Sequence, residues 1–133
     1  MRGTLVCVAL LLGALLACKS KQSGTLTVNG AAFQISECRS GAANSPPFAG
    51  VDFLDETGRR VRFLRNEAGM VRIFVFAPGQ MTGDLVGEGC GTINVTEQNS
   101  EVNGVKNVQG SVSANCTGGG HSVAAGMNFE NCH

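Results

Sequence analysis

Tryptophan and tyrosine are missing from the chain, and seven phenylalanines are its entire aromatic complement. Sugar platforms commonly stack rings on indole or phenol faces, so this absence weighs against carbohydrate recognition. Histidine is almost absent too, with only His121 and His133 available as imidazole ligands. Neither sign of charge dominates: ten basic side chains meet ten acidic ones. The chain therefore lacks the basic excess on which nucleic-acid binding depends, and no nucleic-acid partner is expected. Prolines number three, whereas nineteen glycines punctuate short apolar runs. Apolar residues make up 43% of the chain, too many for a disordered one. After residue 18 no amphipathic helical period of any length appears. Short strands with glycine-rich turns remain, and they predict an all-β fold.

The one long apolar run is at the N-terminus. Arg2 supplies a positive start, and Thr4 to Leu16 follows as an apolar stretch too short to span a bilayer. It ends in Leu15-Leu16-Ala17-Cys18. This ending resembles the lipobox of bacterial lipoproteins, with Leu16 the one departure from the usual pattern. The resemblance implies cleavage before Cys18 and lipidation of that cysteine, so residues 1–17 read as a signal peptide. Residues 18–24 then form a lipidated N-terminus and tether, and residues 25–133 a single β-domain. A tether from Lys19 to Gly24 extends at most about 20 Å, which keeps the domain close to the membrane. Lys19 directly after the lipidated cysteine implies, by resemblance to enterobacterial sorting rules, the outer membrane. The expected location is thus the cell envelope, with the membrane as a partner through the lipid.

Cysteine arithmetic agrees. Of six cysteines, Cys7 falls in the leader, which leaves an odd set in an oxidising compartment. Lipid on Cys18 restores an even set: Cys38, Cys90, Cys116 and Cys132. Four cysteines allow three connectivities. Cys116 and Cys132 sit at opposite ends of a strand pair that turns at Gly118 to Gly120, about 30 Å apart, which disfavours a bridge between them. In a meander of the last three strands, Cys90 and Cys116 fall at the same end. The favoured pairing is therefore Cys90–Cys116 with Cys38–Cys132.

Residues 51–76 are the most informative stretch. Strands at Val51 to Asp55, Arg59 to Asn66 and Met70 to Phe76 are separated by Glu56-Thr57-Gly58 and Glu67-Ala68-Gly69. Three-residue hairpin loops closed by a left-handed glycine fit both turns. That choice sets Phe53 opposite Val61, Val51 opposite Phe63, Phe63 opposite Ile73 and Val61 opposite Val75. One face becomes Val51, Phe53, Val61, Phe63, Val71, Ile73 and Val75, a core face without charge. The other carries Asp52, Leu54, Arg60, Arg62, Leu64, Arg72, Phe74 and Phe76, with Asp52 opposite Arg62. An exposed pair of this kind contributes under about 1 kcal/mol.

Elsewhere, Gly24 to Val28 and Ala31 to Glu37 flank the hairpin signal Asn29-Gly30. Arg39 to Gly50 and Ala77 to Gly89 read as loops, and Glu97 to Gly104 as a polar stretch. Cys90 to Thr96, Val105 to Cys116 and His121 to Cys132 read as strands. The total is about eight strands, which predicts an antiparallel β-sandwich or small β-barrel with two disulfides.

No catalytic residue is assigned. Gly120-His121-Ser122-Val123-Ala124 is similar to a nucleophile elbow, and Glu130 and His133 follow in suitable order. The elbow requires a strand that feeds a helix on a large α/β sheet, which this chain lacks. Asp52, Asp55 and Glu56 cluster near a turn without the spacing of a calcium loop, so neither a metal nor a cofactor is expected. The mixed surface of Arg60, Arg62, Arg72, Phe74 and Phe76 is the candidate binding face, suited to an envelope protein or to anionic lipid head groups. Alternatively, another sheet or the loop Ala77 to Gly89 covers its apolar residues while the arginine stems reach water. The leading expectation is a non-enzymatic, lipid-anchored binding or structural module acting through a protein contact. Two other classes are a small apolar-ligand carrier with a lumen, and an inhibitor that inserts Ala77 to Gly89 into a secreted enzyme.

Overall fold

The computed structural model describes residues 19–133. The expected signal peptide 1–17 and the lipid-bearing Cys18 lie outside the described residues. Nine strands follow one another: β1 (Lys21–Val28), β2 (Ala31–Ala32), β3 (Glu37–Ser40), β4 (Gly50–Leu54), β5 (Arg60–Arg65), β6 (Met70–Phe76), β7 (Asp84–Val102), β8 (Val105–Gly118) and β9 (His121–Cys132). A single 3₁₀ turn, Gly41–Ala43, follows β3. The strands form one antiparallel sheet in the order β2-β1-β9-β8-β7-β6-β5-β4-β3. The all-β expectation holds, as one curled antiparallel sheet, a half-barrel, rather than two stacked sheets.

Chain connectivity forces the curl. β2 and β3 are successive in the chain yet occupy the two opposite edges of the sheet. Laid flat, edges eight strand spacings apart would be separated by roughly 38 Å. The link from Ala32 to Glu37 spans at most about 18 Å. The sheet must therefore roll until its edges meet. Counting through the antiparallel pairs, β2 and β3 also run in the same direction. The Phe33 N–H donates to Leu26 O at 2.9 Å, and the Ser36 N–H to Leu54 O at 2.8 Å. Residues 31–40 thus behave as one broken strand that pairs first with β1 and then with β4. The expected strand Ala31 to Glu37 is interrupted for that reason, and β3 continues past Cys38 to Ser40.

Both disulfides have the favoured connectivity. Cys38–Cys132 joins β3 to the end of β9 with Cα atoms 4.9 Å apart. Beside it the His133 N–H donates to Cys38 O at 3.3 Å. Cys90–Cys116 staples β7 to β8 with Cα atoms 5.5 Å apart.

The meander register is the one the turns predict. Val51 faces Phe63, Phe53 faces Val61, Val61 faces Val75 and Phe63 faces Ile73. Gly58 and Gly69 hold φ of 90° and 80°, the left-handed conformation that these three-residue turns require. All seven residues of the predicted core face are buried. Phe53 packs edge-to-face on Phe63 and on Phe129 of β9, each with ring centroids 5.8 Å apart. Phe129 comes from the far wall, so these rings span the interior.

Other boundaries differ from the sequence reading as well. β7 begins at Asp84, inside the expected loop Ala77 to Gly89, and continues through the polar stretch to Val102. Its ladder slips twice against β6, which hides the period-two pattern. Gly87 is needed there, because a Cβ would lie 2.8 Å from Cys90 Sγ and 3.0 Å from Cys116 Cβ. β1 begins at Lys21, so the sheet absorbs most of the expected tether 18–24 by pairing it residue for residue with β9.

Replacing Phe53 by Ala is expected to cost about 3–5 kcal/mol, since no neighbour can refill the space between two walls. A Cys38→Ser, Cys132→Ser variant should lose about 2–4 kcal/mol. Urea unfolding of each variant against the parent checks both, and unchanged midpoints would refute this account of closure.

Candidate functional site

The outward face of the meander is built by strand alternation, which places Asp52, Arg60, Arg62, Arg72, Phe74 and Phe76 opposite the core residues. Pairing organises them into rows. Asp52 faces Arg62, Arg62 faces Phe74, and Phe74 faces Leu85 of β7. Arg60 faces Phe76, and Leu64 and Glu88 flank Arg72.

Asp52 is fully buried. Arg62 grips it with both ends of the fork, Nε to Oδ1 at 2.8 Å and Nη2 to Oδ2 at 3.0 Å. Arg60 Nη1 stands 3.6 Å from the same carboxylate. Asn44 donates its Nδ2 to Asp52 Oδ2 at 3.4 Å and accepts from Arg62 Nη2 at 3.2 Å. The cross-strand pair has the expected partners, and its carboxylate is buried rather than exposed. The segment after β3 folds back over the sheet and excludes water from the carboxylate. Phe48 of that segment lies 4.3 Å from the Arg62 guanidinium, and Phe76 lies 4.9 Å from it. Arg60 sits 4.3 Å from the Phe76 ring. One carboxylate thus holds two guanidinium groups, leaving a net positive charge whose side chains remain about one-fifth exposed.

Phe76 is buried. Gly83 lies so close above its ring that an added Cβ would come within 2.7 Å of it. The loop after β6 therefore caps Phe76, and of the five predicted binding residues this one is a floor rather than a contact. Arg72 stacks 4.8 Å from Phe74 and pairs with Glu88 at 3.4 Å, with 40% of its side chain exposed. Phe74 is half-buried. Asn44, Phe48, Leu85 and Glu88 belong to the same cluster and lay in segments read as loops. No periodicity in the sequence marked any of them.

The other constellations do not assemble. Ser122 lies at the start of β9, whereas Glu130 and His133 are at its other end. His121 Nε2 instead meets Asp84 at 3.0 Å, and the Ser122 N–H donates to Asn29 Oδ1 at 2.9 Å. Asp55 turns away from Asp52 and closes its own hairpin. It accepts from the Thr57 N–H at 3.0 Å, the Thr57 hydroxyl at 2.6 Å and the Arg59 N–H at 3.0 Å, and Arg59 Nε lies 3.2 Å away. Burial pushes the Asp55 carboxyl up, but these hydrogen bonds and the Arg59 charge outweigh it and hold the group below its ordinary 3.8.

No family model, curated protein or solved structure matches this chain.

Removal of the buried carboxylate by Asp52→Ala should cost about 3 kcal/mol, because two guanidinium groups lose their partner in a site closed to water. Calorimetry of that variant should show a large fall in Tm. Asp55 contributes to the acid response. Its depressed pKa adds stability above the ordinary carboxyl range, which is lost as pH falls through the folded value. Asp55→Asn should flatten the dependence of stability on pH below about 4, read from unfolding midpoints across a pH series.

Proposed function

We propose that this chain is a lipid-anchored protein of the cell envelope, held at the outer membrane, that works through contact with another protein and not by catalysis. The observation that carries the reading is the ordered stack of Arg60 and Arg62 on Asp52, Phe48 and Phe76, with Arg72 on Phe74 beside it. Long cationic side chains normally lose much rotamer freedom when a partner docks. Here the carboxylate and rings have already fixed them, so little remains to be lost. Guanidinium groups beside aromatic rings are also the chemistry that concentrates binding energy at protein interfaces. The surplus positive charge favours a partner that offers carboxylates next to apolar surface.

The anchor rests on Leu15-Leu16-Ala17-Cys18. With β1 starting at Lys21, only Lys19 and Ser20 separate Cys18 from the sheet, a reach of about 11 Å. Such a tether presses the start of β1 toward the membrane. Ligand carriage is the weaker reading, because Phe53, Phe63 and Phe129 pack against one another across the space a lumen would need.

Two measurements test the proposal. Cys18→Ser should abolish incorporation of labelled fatty acid and move the protein from the membrane to the soluble fraction. In-cell crosslinking of the lipidated protein should capture a defined envelope protein that an Arg72→Glu, Phe74→Ser variant of parental Tm loses. Arg62 is left intact because its loss would expose the buried carboxylate. Equal capture by the variant would remove the face from consideration.

A further inference from the structure

The same tripeptide occupies two hairpin tips: Val28-Asn29-Gly30 between β1 and β2, and Val102-Asn103-Gly104 between β7 and β8. Both adopt the same turn. Asn29 and Gly30 have φ of 55° and 80°, and Asn103 and Gly104 have φ of 52° and 80°, the paired positive values of a type I′ turn. Both asparagines are exposed. An added Cβ on either glycine would meet nothing within 4 Å. Sequence, turn and exposure are therefore matched, and what differs is how each tip is held.

The first tip is fastened to a third strand. The Asn29 N–H donates to Ser122 O at 2.7 Å, and the Ser122 N–H donates back to the Asn29 side-chain Oδ1 at 2.9 Å. Behind the tip, β1 pairs with β9 without interruption from Lys21 to Val28. The second tip has only its own hairpin. β6 last pairs with β7 at Thr92, and β9 last pairs with β8 at Val108. Beyond those points the two strands pair with each other alone, and a register shift between Glu97 and Glu101 interrupts that ladder. Past the shift, Glu101 opposite Lys106 and Val102 opposite Val105 are all that remain. Gln98 bonds to Asn131, and Asn107 to Ser100, at the base of this arm. Among the described residues, no side-chain hydrogen bond reaches 101–106. A two-stranded hairpin without neighbours is marginally stable, so its end opens far more often than a strand paired along its length.

Asparagine before glycine carries its own chemistry. The glycine backbone nitrogen, with no Cβ beside it to obstruct the approach, attacks the asparagine side-chain carbonyl carbon. A new C–N bond closes a five-membered succinimide, the attacking nitrogen gives up its proton, and the side-chain nitrogen leaves as ammonia. Water then opens either carbonyl of the ring, leaving aspartate or isoaspartate. Water is the sole co-reactant, and nothing is oxidised or reduced. The attacking nitrogen and the carbonyl carbon have to face each other, so the turn must loosen first. At Asn29 the backbone and the carboxamide must both let go of Ser122. At Asn103 nothing outside the hairpin resists.

We propose that Asn103 is a modification site of this protein, where the chain deamidates spontaneously, while the contact with β9 protects Asn29. Isoaspartate routes the main chain through the former side chain, adding a methylene that a two-residue turn matched to its strands does not accommodate. Either product places a new carboxylate two residues from Glu101. The tip of the β7–β8 arm is thus where the covalent chain changes first. This inference depends on neither the contact face nor the lipid anchor.

The test incubates the full-length protein at mildly alkaline pH and physiological temperature in heavy-oxygen water, once in its native state and once in urea. Peptide mapping by mass spectrometry, with aspartate and isoaspartate separated, reads the label incorporated at positions 29 and 103. In the native protein, label should accumulate at Asn103 at least about fivefold faster than at Asn29. In urea the two rates should agree within about twofold, because both sites share Val-Asn-Gly and the fold no longer separates them. Equal native rates, a faster reaction at Asn29, or no native reaction at either position would overturn the proposal. A ratio in urea as large as the native one would also overturn it, since the preference would then lie in local sequence and not in how each tip is held.

Discussion

The closure of the sheet depends on a short piece of chain. Residues 33–36 tie together the two edges of a nine-stranded sheet, and a link that short is incompatible with a flat arrangement. Once the edges meet, every second residue of β4, β5 and β6 is turned inward. Phe53 can then touch Phe129 on the far wall, and Cys38 can reach Cys132. Hydrophobic burial supplies the driving force, but connectivity decides which surfaces do the burying.

The same curl explains the unusual chemistry of the outside. A half-barrel wall normally presents its convex face to water. Here the segments after β3 and β6 fold back onto that face, bringing Asn44, Phe48 and Gly83 over Asp52 and Phe76. A carboxylate shut away in this manner requires cationic partners, since an unpaired buried charge is strongly unfavourable. Arg60 and Arg62 meet that requirement and become fixed themselves. Structural need and binding competence therefore come from one arrangement, in which neutralising Asp52 leaves one ordered guanidinium in excess.

The molecule also has two unlike ends. The entry of β1 and the exit of β9 share one end with the Cys38–Cys132 bridge. The opposite end carries the tight turns at Asn29-Gly30 and Gly119-Gly120 and the longer loop that presents Met81.

The sequence by itself determined the meander from Val51 to Phe76. Period-two alternation admits only one inward face there, and the turn lengths at Gly58 and Gly69 allow only one register. It also favoured the disulfide pairing that forms, because strand direction places Cys90 near Cys116 and separates Cys116 from Cys132. Those constraints are local, or depend on counting along neighbouring strands. Only the tertiary structure decided the rest. The start of β7 was hidden because Gly87 and Gly89 break the alternation that marks a strand, and Gly87 is required only once the Cys90–Cys116 bridge lies beside it. Asp52 read as an ordinary surface acid until the segment after β3 covered it. Phe74, Phe76 and Leu85 are similar apolar side chains on the same outward face, yet one is half-buried, one covered and one exposed. Burial depends on which distant loop returns to cover a residue, and no local period encodes that return.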